Sequence, residues 1–325
     1  MKYLAPFFNR QKFRRMKIIT TAILLGITLL AVPVFSYFFG TALGESEWKA
    51  LHTLIIIAAI VIAYSFIVGE LTRNNSQVDK LWSLLPIAYT WIVTAYGDFA
   101  PRLLVMSILV SLWGLRLTIN FAMKGAYSWR FWAGEEDYRW LVLRQKPEFN
   151  PRWKWTLFNL FFISGYQLVL ILLFTLPAIV ALQNINTPIC IFDYIAAALM
   201  FFFIVYETIA DIQQWNFQSK KHAMIKAGKE LTGDYKKGFL DKGLWAFSRH
   251  PNYFAEQSIW VCFYLFSVAA GSQWFNWSIA GCLLLIVLFQ GSSSFSEEIS
   301  AGKYPEYPEY QKRVPRFIPT GPVKK

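Results

Sequence analysis

The stretch LFNLFFISGYQLVLILLFTLPAIVAL, residues 157 to 182, contains no charged side chain. A helix rises about 1.5 Å per residue and the hydrocarbon of a bilayer is about 30 Å thick, so roughly twenty such residues cross it. Residues 18 to 40, 51 to 69 and 189 to 206 are similar, with Asp193 near one end of the last as their single charge. Shorter apolar segments at 81 to 97, 101 to 122 and 259 to 290 fill the gaps, and Gly271 to Trp274 can fold the last into a hairpin of two spans. The expectation is an all-α, polytopic membrane bundle of about eight helices.

Charge distribution sets the topology. The chain has 325 residues and a net charge of +12, yet its lysines and arginines sit between hydrophobic segments and form no solvated basic face for nucleic acid. With the amino terminus placed in the cytoplasm, 30 of the 32 basic residues fall on that side, and only Lys49 and Arg102 fall outside. That asymmetry follows the rule that positive loops stay inside, so both termini are expected in the cytoplasm. The first 17 residues are too basic, and the apolar run behind them too long, for a cleaved signal peptide, which makes the first span an anchor. Cys190, Cys262 and Cys282 stand at no metal-ligand spacing and read as buried thiols. No internal repeat or linker divides the chain, and neither inverted repeats nor broken helices of the transporter kind are evident.

The outer loops are short, whereas residues 123 to 156, 218 to 257 and the tail from 291 place charged, aromatic-rich sequence on the inner face. Ionisable residues at membrane depth are functional candidates by default. Glu207, Asp211, Gln214 and Gln218 follow i, i+4, i+7, i+11 and share one helical stripe, either for polar groups of a ligand or as a face emerging into water. Arg116 and Asn120 are four apart in the fourth span. The arginine either snorkels to the interface or turns inward to hold a phosphate or carboxylate.

The loop around Glu135, Glu136, Asp137, Tyr138 and Arg139 reads as an interfacial helix or as part of the same site. The run from Gly243 to Glu256, GLWAFSRHPNYFAE, carries Trp245, Arg249, His250, Asn252, Tyr253 and Glu256. Pro251 suits the first turn of a helix, which puts Arg249 and His250 at its positive end. The tail has Tyr304, Tyr307, Tyr310 and basic residues, fit to close over a nucleotide or to lie among headgroups.

At these residues the chain resembles the steroid 5-alpha-reductase superfamily, in its poorly characterised bacterial-type multi-pass branch. The resemblance rests on Gly243 to Glu256, on the terminal Tyr307, Tyr310, Val314, Pro315, Phe317, Ile318 and Pro319, and on Asp79, Trp82, Arg116, residues 136 to 139, Glu207 and Asp211. It implies a catalytic domain over 75 to 320, with residues 1 to 74 as anchor helices: a seven-helix core plus an extra amino-terminal span. It further implies an NAD(P)H-dependent reduction of a conjugated carbon-carbon double bond. NADPH would be lined by Arg116, Asn120, Asp137, Tyr138, Arg139, Glu207, Asp211, Gln214, Trp245, Arg249, His250, Asn252, Tyr253, Glu256 and Tyr310, with Asp79 and Tyr253 catalytic.

One departure stands out. The steroid reductases have a tyrosine three residues before the matching arginine, and here that position is Trp113. The substrate is therefore expected to be an apolar enone entering from the bilayer, not necessarily a 3-keto steroid. The segment from Arg249 to Glu256 is also similar to isoprenylcysteine carboxyl methyltransferases, where it implies S-adenosylmethionine. The expected location is the inner membrane of a bacterium or the endoplasmic reticulum of a eukaryote.

Overall fold

A computed structural model describes residues 26–321, so the start of the first expected span, 18 to 40, lies outside the described residues. The described chain is helical throughout, without a strand. After a short helix α1 (Val32–Phe39) come α2 (Glu45–Thr72), α3 (Gln77–Tyr96), α4 (Pro101–Met123), the short α5 (Tyr138–Arg144), α6 (Arg152–Gln183), α7 (Ile191–Lys226), α8 (Pro251–Ala269), α9 (Ile279–Lys303) and the short α10 (Tyr307–Arg313). Five of them, α2, α4, α6, α7 and α9, are long and apolar enough to cross a membrane. The helices α3 and α8 have 20 and 19 residues, comparable in length but more polar.

The sequence that opened the reading forms the centre of the bundle. In α6, 78% of the apolar window is buried, against 17% in α2, so α6 is the post and the others present a side to lipid. One stretch of α6, Asn159–Tyr166, is wound as a π-helix. Gly281 lets α9 lie directly on the α6 backbone at Leu173 and Phe174. At Gly114 an added Cβ would stand 2.6 Å from the Ser83 carbonyl, so glycine sets the close α3–α4 approach. The main core also takes in Ala50, Leu54 and Ala58 of α2. The expected hairpin is present: α8 ends at Ala269, Gly271 adopts a positive φ, and α9 starts at Ile279.

Arg102 closes the end opposite the charged loops. Its Nε and Nη2 donate to the two carboxylate oxygens of Asp193 at 2.7 and 2.9 Å, and its Nη1 donates to the Thr187 carbonyl. Both side chains are buried. Breaking a buried pair strands a charge and costs about 3–5 kcal/mol. Arg102→Ala is thus expected to lower the thermal midpoint in detergent substantially. Lys49→Ala, which breaks an exposed pair with Glu45, should leave it unchanged. Equal effects of the two substitutions would refute the assignment of Arg102 as the structural pin.

Candidate active site

The polar stripe of α7 faces the polar residues of α4, and the amino-terminal turns of α8 close the gap between them. Arg116 of α4 is the hub. Its Nη1 donates to Asp211 Oδ2 at 2.8 Å, its Nη2 stands 2.9 Å from Glu207 Oε2, and Glu256 Oε2 lies 3.9 Å away. The arginine is thus turned inward and does not snorkel.

Pro251 opens α8, as its fixed φ favours. One turn of that helix then projects Asn252 and Glu256 into the seam, where Asn252 Nδ2 donates to Asp211 Oδ1 at 3.1 Å. Glu256 is 4% exposed and is gripped by two indole donors, Trp113 Nε1 at 2.7 Å and Trp260 Nε1 at 3.2 Å. The two indoles meet edge to face, so the deep end of the seam has an aromatic floor.

Among the described residues six buried side-chain polar atoms here make no regular hydrogen bond: Arg116 Nη2 and Glu207 Oε2 face each other as the 2.9 Å ion pair, and Arg116 Nε, Asn120 Oδ1, the Tyr206 hydroxyl and Gln214 Oε1 are left without a partner. Buried polar groups are ordinarily satisfied, and orphaned ones cost free energy. Their concentration here makes the seam the candidate site.

A second cluster lies on the loop between α4 and α5. The side chains of Asp137 and Arg139 pair twice, each contact 2.9 Å, and Asp137 also caps α5 by accepting from the Arg139 amide. Burial acts to raise the Asp137 carboxyl, but the Arg139 charge and hydrogen bonds overcome it and hold the group below the usual carboxylate range. Arg139 Nη1 reaches the Tyr253 hydroxyl at 3.4 Å, and Asp79 accepts from Trp140 Nε1 at 2.9 Å. Tyr138 is exposed beside them. The loop is nailed to α3 by Lys80, a fully buried lysine whose Nζ donates to the carbonyls of Phe131 and Ala133 at 2.7 and 2.6 Å.

Trp245, Arg249, His250 and Tyr310 belong to a third group, which ties the tail down. Arg249 Nε donates to Glu297 Oε1 at 2.7 Å and its Nη1 donates to the carbonyls of Gln311 and Val314. The amides of Arg249 and His250 donate to Pro315 and Arg316. Tyr310 donates to the Trp245 carbonyl, and Trp245 Nε1 donates to Ala210 of α7. The helix-end anion site expected of Arg249 is therefore filled by Glu297 from within the chain. His250 joins this group to the second, since its ring stacks on Tyr253 with centroids 5.1 Å apart.

Residues 65–314 match the family described as protein of unknown function (DUF1295). The chain belongs to the DUF1295 family. It is also 38% identical over 275 residues to an uncharacterised protein of the fission yeast Schizosaccharomyces pombe, covering 78% of this chain and 77% of that one. No solved structure matches. The family is the steroid 5-alpha-reductase-like group suggested by the motifs. Every site residue from Asp79 to Tyr310 falls within the DUF1295 match.

The sequence reading did not single out Trp113 as a partner of Glu256, Glu297 as the tail's anchor, Lys80 as a staple, or Lys124 as a site residue. Lys124 caps the carboxyl end of α4, exposed and within electrostatic reach of Asp211, Asp137 and Arg116. Its i, i+4, i+8 relation to Arg116 and Asn120 was the available signal.

The clamp makes stability pH-dependent. Burial pushes the His250 imidazole below its ordinary value, against the opposing influence of Glu297, while Arg249 and Arg316 also face it. An unfolded histidine binds its proton near pH 6.5, so below that value the unfolded chain takes up a proton that the folded one refuses. The thermal midpoint is expected to fall as pH drops through about 6.5 and below, and His250→Gln should flatten this part of the curve. A variant curve parallel to the wild type would rule His250 out as the cause.

Proposed function

We propose that the protein is a membrane-embedded, NAD(P)H-dependent reductase of a conjugated carbon-carbon double bond in a steroid-like or other lipidic enone. The observation that carries this reading is the set of four unpartnered polar atoms, Arg116 Nε, Asn120 Oδ1, the Tyr206 hydroxyl and Gln214 Oε1, along the α4–α7 seam, bordered by carboxylates and amides. Such groups suit ribose hydroxyls and a carboxamide. Glu207, Asp211, Asn252, Gln214 and Asn120 would hold those parts, and Lys124 the phosphates. The bound nicotinamide would supply hydride.

Three carboxylates around one guanidinium leave the seam net negative, a field that favours the positive charge left on a nicotinamide ring after hydride donation. Because the Trp113 N–H is committed to Glu256, another group must donate to the substrate. The Tyr253 hydroxyl takes that role here: it gives its proton to the alpha carbon, and the adjacent Arg139 guanidinium offsets the phenolate charge that remains. Asp79, buried next to this group, helps to hold the loop through Trp140. On the orientation that the charge asymmetry favours, cofactor reaches the seam from the cytoplasm and the apolar substrate arrives through the bilayer.

The acid excess of the seam also suits a sulfonium, which keeps an S-adenosylmethionine-dependent methyltransferase as the second reading. Ligand-dependent thermal stability in detergent separates the two, because a ligand that binds only the folded state raises the midpoint by mass action. The expected result is a rise with NADPH and none with S-adenosylmethionine. The reverse pattern would overturn the reductase assignment.

A further inference from the structure

The α7 stripe does not end at Gln218. Lys221 lies fourteen residues after Glu207, so Glu207, Asp211, Gln214, Gln218 and Lys221 keep within about a quarter-turn of one another over about 21 Å. The charge along this line is graded, with carboxylates at the deep end, amides between, and an ammonium at the end that meets the basic loops.

Lys221 is 4% exposed. Its Nζ donates to the Gly238 carbonyl at 2.7 Å and to the Tyr304 hydroxyl at 3.2 Å, two of the three bonds an ammonium can make. Among the described residues no carboxylate pairs with it, whereas nearby Lys237 and Lys242 pair with Asp241 and Asp234. The rings of Tyr304 and Phe217 flank it at 5.3 and 5.8 Å. A buried cation without a counter-ion is costly unless something anionic completes it. Lys220, Lys226, Lys229 and Lys236, also without ion pairs among the described residues, add a positive field at the same end.

We propose that Lys221 and the Tyr304 hydroxyl form an anion subsite at the outer end of the stripe that takes the phosphate on the adenosine ribose, so that the site selects NADPH over NADH. This rests on the reductase reading above. It makes the stripe a single track, with the ring end of the cofactor at Glu207 and its distinguishing phosphate at Lys221.

The test is thermal stabilisation of the full-length protein in detergent, titrated with NADPH and with NADH, for the wild type, Lys221→Gln and Lys221→Arg. The wild type should respond to NADPH at a concentration about tenfold or more below that needed for NADH, as loss of one charge-assisted bond implies. Lys221→Gln should bring NADPH down to the NADH level and leave the NADH response unchanged, and Lys221→Arg should retain the preference.

Equal wild-type responses to both nucleotides, or a Lys221→Gln protein that keeps its preference or loses both responses alike, would overturn the subsite while leaving the reductase reading intact. No wild-type response to either nucleotide would overturn both. Should Lys221→Gln not fold, the wild type alone decides: adenosine 2′,5′-bisphosphate must stabilise it more than AMP, and equal effects would reject the subsite.

Discussion

Arg116→Met is expected to cost about 3–5 kcal/mol of stability and to abolish the response to NADPH. Arg116 stands at 2.8 Å from Asp211 and 2.9 Å from Glu207, with Glu256 at 3.9 Å. Without it three carboxylates share a largely buried seam and no cation lies among them. Because charge crowding rather than lost packing drives the effect, Glu207→Gln in the same chain should restore part of the stability. Arg116→Lys keeps the charge but lacks the planar fork that reaches two carboxylates at once, so it should fall between the two. Thermal unfolding of the four proteins in one detergent decides the matter. If the double variant were no more stable than Arg116→Met, the charge-balance account would be wrong.

Glu297→Ala should be comparably damaging, for a different reason. This single carboxylate accepts from Arg249, His250 and Gln311 and lies 3.4 Å from Arg316, while remaining 3% exposed. Removing it leaves the Arg249 guanidinium buried without its anion, a loss of about 3–5 kcal/mol. The tail is held to the start of α8 through these same residues, so limited proteolysis should cut the chain after Lys303 in the variant and spare the wild type. Glu298→Ala is the control, since Glu298 is exposed and its ion pair among the described residues is with Lys146 at 3.5 Å. Tail cleavage at equal rates in both variants would show that Glu297 is not the anchor.

The fold was legible because bilayer thickness turns residue counts into spans. The uninterrupted segment at 157 to 182 became the buried α6, and Gly271 did break the last apolar stretch into α8 and α9. Half of the site was legible for a similar reason: helical spacing put Glu207 and Asp211 on one face, and both meet Arg116. What spacing does not carry is the identity of a distant partner. Arg249 and His250 looked free to bind an anion, yet Glu297 lies 48 residues beyond the one and 47 beyond the other. Trp113 likewise read as a missing hydroxyl, and its indole N–H finds Glu256 143 residues on. Apolar length is a local property, whereas the partner of a buried charge is chosen by the tertiary fold.

The Lys80 staple has a consequence for how anything enters. With its ammonium sealed between α3 and the carbonyls of Phe131 and Ala133, the loop carrying Asp137 and Arg139 cannot swing as a door on its own hinge. Opening on that side would drag α3 along and expose a buried charge. The tail is pinned as well: Glu297, the Arg249 side chain and the backbone of residues 249 and 250 hold it across the start of α8, and Tyr310 ties it to Trp245. The loop is thus a fixed wall of the seam, and an entering molecule meets a surface already in place.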